Sequence, residues 1–231
     1  MKKFLKFLIG LVFLPFAFFL IYDSAEMVPI IIKNLDITFP FLLGVLIYCI
    51  VHKYICKFSR LYVLAHEISH ALAAWCCGYK VTGIKVKEES GNTTVSDINT
   101  FVLLAPYCLP LYAIVCIIGF YITSLFRPEI FVYSKWFLGI FGFLMSFHIL
   151  HTYKTLTETE QSDVSHAGGG VFSFVLIAVV NLTLIIIFIN FLFPGLIKPS
   201  SVFKESFIQT LGFWKIFFVY MHKLIIWLGN L

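Results

Sequence analysis

The stretch AHEISHALAAW, residues 65–75, places two histidines and a glutamate inside an apolar, alanine-rich run. His66 and His70 are four residues apart, so on a helix they leave the same face, one turn above the other. Glu67 is turned about 100° from His66. Two imidazoles at this spacing can hold one zinc ion, and the carboxylate beside them then reaches a water rather than the ion. The competing reading is a hydrogen-bonded polar cluster between packed helices.

The setting sharpens that choice. The chain has 231 residues, 60% hydrophobic and 13% charged, with a mean hydropathy of +0.95. This composition is far more apolar than that of soluble domains and reads as an integral membrane protein in a lipid bilayer. A charge at mid-helix in a bilayer costs about 2.5–3.5 kcal/mol on insertion scales, so a glutamate there points to function. Ser69, Ala71, Ala73 and Ala74 are small enough to let other helices approach and shield the polar groups from lipid. The net charge of +5 is not gathered into a basic run with interleaved aromatics, which argues against a nucleic-acid partner. Cys49, Cys56, Cys76, Cys77, Cys108 and Cys116 form no CxxC pair and read as buried thiols acting as small hydrophobes.

Apolar runs near 20 residues are candidate spans. They fall at about 4–22, 38–56, 59–78, 100–125, 131–150, 170–194 and 207–229. The expected fold class is membrane all-α, a polytopic bundle of six to seven transmembrane helices with a short β-hairpin after the HExxH helix. The first run follows Met1-Lys2-Lys3 like a signal peptide, but it is long and no A-x-A site follows, so it reads as a retained helix. The last carries Lys215, His222 and Lys223 and either crosses or lies in the interface. With the N-terminus cytoplasmic, Lys2, Lys3, Lys6, Lys53, Lys57, Arg60, Arg127, Lys135, Lys198 and Lys204 share the inner side. Only Lys33 and Lys154 then lie outside, apart from the hairpin, which supports that orientation.

The hairpin is read from YKVTGIKVKEESGNTTVSDINT, residues 79–100. Apolar and polar residues alternate around Val81, Ile84 and Val86, with turn chemistry at Glu89-Ser90-Gly91-Asn92. An open sheet edge cannot face lipid, so this hairpin belongs at the interface or against a protein cavity.

His66-Glu67-x-x-His70 is the HExxH arrangement of zinc metalloproteases. Catalytic zinc takes a third protein ligand and keeps an open position. The candidates are His148 and His151 at the end of the fifth span, and Asp163 and His166 in TETEQSDVSHAGGG. Asp163 precedes a glycine-rich stretch that permits close backbone approach; the plain reading of Asp163 is a helix N-terminal acid. His52 and His222 read as interface residues. On the spans above, Asp163 lies near the outer ends of spans five and six and His66 near the inner side. The two meet only if residues 151–168 re-enter the bundle or a span boundary differs.

AHEISHALAAWCCGYKVTGIKV, with QSDVSHAGG and LLAPYCLP (103–110), resembles the site-2 protease family of intramembrane zinc metalloproteases, over roughly residues 59–190. With the span reading, this divides the chain into two N-terminal transmembrane helices (1–58), a metalloprotease core (59–194) and a C-terminal transmembrane or interfacial helix (195–231); the resemblance does not account for the first and last of these. It implies a Zn2+ cofactor held by His66, His70 and Asp163, with Glu67 as general base. The implied activity is hydrolysis of membrane-spanning or membrane-adjacent polypeptides. A helical substrate must unwind locally, and the hairpin, through Ile84 and Val86, either holds the unwound stretch as an added strand or acts as a flap. Two other readings stand beside this one. The first is a catalytically inactive zinc-binding scaffold or chaperone-like protein. The second is a transporter, for which the paired discontinuous helices or internal repeat are missing. Small size and sparse loops suggest a bacterial inner membrane.

Overall fold

The structure, a computed structural model, describes residues 2–88, 90–158 and 161–229. The chain forms two compact units, residues 35–173 and residues 1–34 with 174–231. Among the described residues, five helical stretches are long and apolar enough to cross a bilayer: Lys3–Lys33, Leu35–Tyr54, Pro128–Glu158, Gly170–Leu192 and Pro199–Gly229. They become six if Thr100–Cys108 and Leu111–Phe126, bent by 72°, count as one broken span. The helix Ser59–Cys76 is not among them, because Arg60, His66, Glu67 and His70 lower its hydropathy.

The smaller unit holds α1 (Lys2–Ala25), α2 (Met27–Lys33), most of α9 (Gly170–Leu192) and α10 (Pro199–Gly229). α1 packs on α10 around a polar contact: buried Asp23 accepts hydrogen bonds from Ser206 Oγ and, at 3.2 Å, Gln209 Nε2. In hydrocarbon such contacts tie helices together. The segment 207–229 lies wholly within α10, a helix long enough to cross.

The larger unit begins with α3 (Leu35–Tyr54) and α4 (Ser59–Cys76). Phe58 joins them in the left-handed region, φ 52°, and packs on Tyr48, Tyr62 and Phe147. β1 (Val81–Val86) and β2 (Gly91–Val95) follow as an antiparallel hairpin. Gly91 and Asn92 belong to β2 rather than to the turn; Glu89 of the expected turn lies outside the described residues. A bulge between Val81 and Gly83 explains why the apolar positions 81, 84 and 86 break strict alternation. Val81 and Val95 seat the hairpin against Ala73, Ala74 and Val102.

α5 (Thr100–Cys108) is capped by Asn99, whose side chain accepts from the Val102 amide. It ends at Leu109, whose extended backbone suits a residue before proline. α6 (Leu111–Phe126) then leaves in a new direction, and a short 3-10 turn leads to α7 (Ser134–Glu158). α5 runs back along α4, with Val102 beside His70 and Tyr107 beside His66. α6 runs along α7, with Tyr112 on Phe147 and Phe120 on Phe137.

α3 and α7 run in the same direction. Phe41 meets Phe141, Tyr48 meets Phe143 and Phe147, and His52 meets His151. Glycines permit the approach: a Cβ on Gly44 would overlap the Gly139 carbonyl, and one on Gly142 the Phe41 carbonyl. The expected spans 38–56 and 131–150 run in opposite directions, and this parallel course corrects that. The end of α7 with Lys154 lies beside the end of α3 with Lys53, as the contact of His151 with His52 shows, and Lys135 lies at the opposite end. The thiols also differ from expectation. All six cysteines are free and none is buried; Cys49 and Cys76 are exposed on helices and Cys56 is exposed between α3 and α4.

Candidate metal centre

α4 buries the small residues expected to let other helices approach: Ser69, Ala71, Ala73 and Ala74 are all enclosed. Its polar residues are therefore sheltered by α5, the hairpin and α8 (Ser162–Ala167) rather than set against lipid. The His66 and His70 rings stand 4.9 Å apart, centroid to centroid.

The parallel course of α3 and α7 brings the chain beyond residue 158 back to the level of α4. α8 is fixed there by Thr100 Oγ1 donating to the Ala167 carbonyl (3.2 Å) and Ser173 Oγ donating to the Val164 carbonyl (3.1 Å). Gly169, at φ +91°, makes the turn into α9. Asp163 Oδ2 consequently lies 3.6 Å from His66 Nε2 and 3.3 Å from His70 Nε2. One ligand atom from each residue falls within 4.8 Å of the others.

The surroundings suit a cation. His70 Nδ1 donates to the Val102 carbonyl at 2.8 Å, since a carbonyl only accepts, and this leaves Nε2 with its lone pair toward Asp163. Burial by itself pushes the Asp163 carboxyl up; the adjacent His66 and His70 imidazoles outweigh it and hold the group below the ordinary carboxylate range. The Tyr107 hydroxyl lies 3.4 Å from Asp163 Oδ2 and 3.1 Å from Gln161 Oε1. Two imidazole nitrogens and one carboxylate oxygen form a donor set that suits zinc, and an adjoining cavity of about 620 Å³ leaves room for a further ligand.

The other candidates for third ligand stand apart. His148 borders a separate small cavity beside Pro106 and Pro110. His151 borders the large cavity but stacks on Tyr62. His166 is exposed, with Nδ1 2.7 Å from the Ser162 carbonyl. His52 bonds the Tyr48 hydroxyl at 3.0 Å.

Glu67 is 5% exposed and faces β2. Alternate residues Gly91, Thr93 and Val95 share one face of that strand, and all three border the cavity. Thr93 Oγ1 lies 2.7 Å from Glu67 Oε2 and 3.0 Å from the Glu67 carbonyl. Gly91 lies so close that a Cβ there would sit 2.5 Å from Glu67 Oε1 and Cγ. Ile84 and Val86 pair with Thr93 and Gly91 across the hairpin but stand outside the cavity wall. Sequence reasoning missed Gly91, Thr93, Tyr107 and Gln161. Gly91 and Asn92 read as turn, and nothing local ties Gly91 or Thr93 to Glu67.

Residues 41–154 match a family model described as Peptidase M50B-like. The match takes in the HExxH helix, the hairpin and nearly all of α7, and it stops before Asp163. No curated protein and no solved structure matches the chain.

Proposed function

The chain belongs, through residues 41–154, to the Peptidase M50B-like group of the site-2 protease family, and on that premise we propose that it is a zinc-dependent intramembrane endopeptidase. Its substrates are membrane-spanning or membrane-adjacent polypeptides. The observation that carries this reading is the convergence of Asp163 Oδ2 on His66 Nε2 and His70 Nε2 beside a buried Glu67.

His66, His70 and Asp163 hold the ion. Zinc bound by them supplies acidification of a water molecule and polarisation of a peptide carbonyl. Glu67 accepts the proton as the water attacks and delivers it to the leaving amine nitrogen. Thr93 fixes the direction in which the Glu67 carboxylate points, and Gly91 leaves room for it. The polar cavity admits the water that lipid does not provide. An unwound substrate segment lies along the hairpin, with Ile84 and Val86 flanking it beyond the cavity wall.

The test is cleavage of single-span membrane proteins by the purified chain, with products identified by mass spectrometry. Cleavage that stops on chelation, returns with zinc and is lost in Glu67→Gln supports the reading. Zinc binding without cleavage of any substrate by the wild type argues for the inactive scaffold.

A further inference from the structure

α10 lies antiparallel to α1. Asp23 of α1 meets Ser206 and Gln209, and the Val12 carbonyl accepts from Trp214 Nε1 at 3.3 Å. These contacts extend over about 16 Å of α1, so α10 crosses the bilayer beside it. Val12 lies near the middle of the uncharged run between Lys6 and Asp23. Trp214 and its neighbour Lys215 therefore stand deep in the hydrocarbon. The charges on α10 itself agree. Glu205 and Lys223 are about 27 Å apart along the helix, close to the thickness of the hydrocarbon layer. Lys215 is the one Lys, Arg, Asp or Glu between them. It is about 15 Å from the level of Glu205 and about 12 Å from that of Lys223. Its side chain leaves the helix toward the farther, N-terminal end, and its four-carbon stem falls short of both headgroup regions.

Lys215 also points away from α1. It is nine residues past Ser206 and so lies half a turn round α10 from the α1 face. It is exposed, and among the described residues it has no hydrogen-bond or ion-pair partner. A charge inside a membrane is expensive and is almost always paired. The face around it has the form of a helix-packing seam. Ile208, Leu211, Lys215 and Phe218 are all exposed and follow one another at three- and four-residue steps, the spacing of a coiled-coil stripe. Gly212 stands three residues before Lys215, and a Cβ there would meet nothing within 4 Å. A glycine weakens a helix interior, and no contact among the described residues uses the space it leaves. That space lets another helix come close beside Lys215.

We propose that this face of α10 binds a transmembrane helix of another membrane protein, one that carries an Asp or Glu at mid-span to pair with Lys215. An ammonium has three donors and no acceptor, and a carboxylate both accepts from it and neutralises it. Lipid phosphates lie at the headgroup level, out of its reach. A second copy of this chain meeting the same face in the same orientation would set Lys215 against Lys215, a repulsive pairing. The partner is therefore a different protein. The inference does not depend on the metal centre.

The full-length protein, labelled with a fluorescence donor in phosphatidylcholine vesicles, is titrated with acceptor-labelled model peptides. Each is a leucine–alanine span with Asp, Asn, Lys or Leu at its centre, or with Asp near one end. Energy transfer reads association. The central-Asp peptide binds wild type roughly three- to thirtyfold more tightly than the central-Leu peptide, the range of polar contacts between helices in a bilayer. Lys215→Leu abolishes that preference, and Lys215→Glu transfers it to the central-Lys peptide. Gly212→Leu, which fills the space for a close approach, weakens the central-Asp peptide. Equal binding of the central-Asp and central-Leu peptides to wild type, or a preference that survives Lys215→Leu, overturns the proposal. A central-Asn peptide that binds as tightly as the Asp peptide overturns charge pairing in favour of a neutral acceptor. Tighter binding of the peptide with Asp near its end places Lys215 at the interface and overturns the mid-span partner.

Discussion

The Thr93 hydroxyl lies 2.7 Å from Glu67 Oε2, although 26 residues and a β-hairpin separate the two. The hairpin is therefore part of the site's inner wall as well as a platform at its edge. A general base must be aimed as well as ionised, and a short bond from a rigid strand fixes that aim.

Removing the bond tests this directly. Thr93→Val retains the shape but not the hydroxyl, and peptidase activity falls by roughly tenfold, as expected for a hydrogen bond to a charged group. Thr93→Ser restores most of it. Bound zinc is unchanged in both variants, as measured by metal analysis of the purified protein.

Gly91→Ala places a methyl group where the Glu67 side chain now lies, 2.5 Å from Cγ and Oε1. The carboxylate or the strand must move, and activity falls at least as far as in Thr93→Val. Zinc content and thermal unfolding stay near wild type if the strain is confined to the hairpin tip. Parallel assays of activity, metal and melting separate these effects.

Glu67→Gln keeps nearly the same volume and removes the proposed base. Turnover drops by about 10²–10⁴, the range typical of a lost acid–base catalyst. The metal remains, because Glu67 is not among the three residues whose ligand atoms converge. Loss of zinc in this variant would instead make Glu67 a ligand.

The fold depends on the close approach of α3 and α7. A Cβ on Gly44 runs into the Gly139 backbone carbonyl, which cannot rotate away. Gly44→Ala therefore destabilises the larger unit by about 1–3 kcal/mol, read from unfolding in detergent. Gly119→Ala is the control: a Cβ there meets nothing within 4 Å, and replacing a helical glycine with alanine is neutral or mildly stabilising.

What the sequence made legible follows from periodicity. His66 and His70 share one side of α4 as a local consequence of 3.6 residues per turn, and the small residues around them, Ser69, Ala71, Ala73 and Ala74, are buried. Asp163 was one of four candidates, because its approach depends on the direction of α7, which hydropathy does not encode. Reading 38–56 and 131–150 as antiparallel spans put Asp163 at the end away from His66. A local sign of irregularity between them is Leu109-Pro110, where the helix breaks and bends by 72°. Thr93 and Gly91 were invisible for another reason: their role exists only once β2 folds back on α4. The cysteines were read as buried because they are apolar, but in a membrane protein apolar side chains also belong on lipid-facing surfaces.

The first measurement is zinc bound per chain in detergent-purified wild type, Glu67→Gln, His66→Ala and Asp163→Ala. The expected result is about one zinc in wild type and Glu67→Gln, and its loss in His66→Ala and Asp163→Ala, with all four chains folded by circular dichroism. A wild type that binds no zinc when supplied with it, or an Asp163→Ala protein that keeps it as tightly as wild type, would contradict the three-residue metal centre.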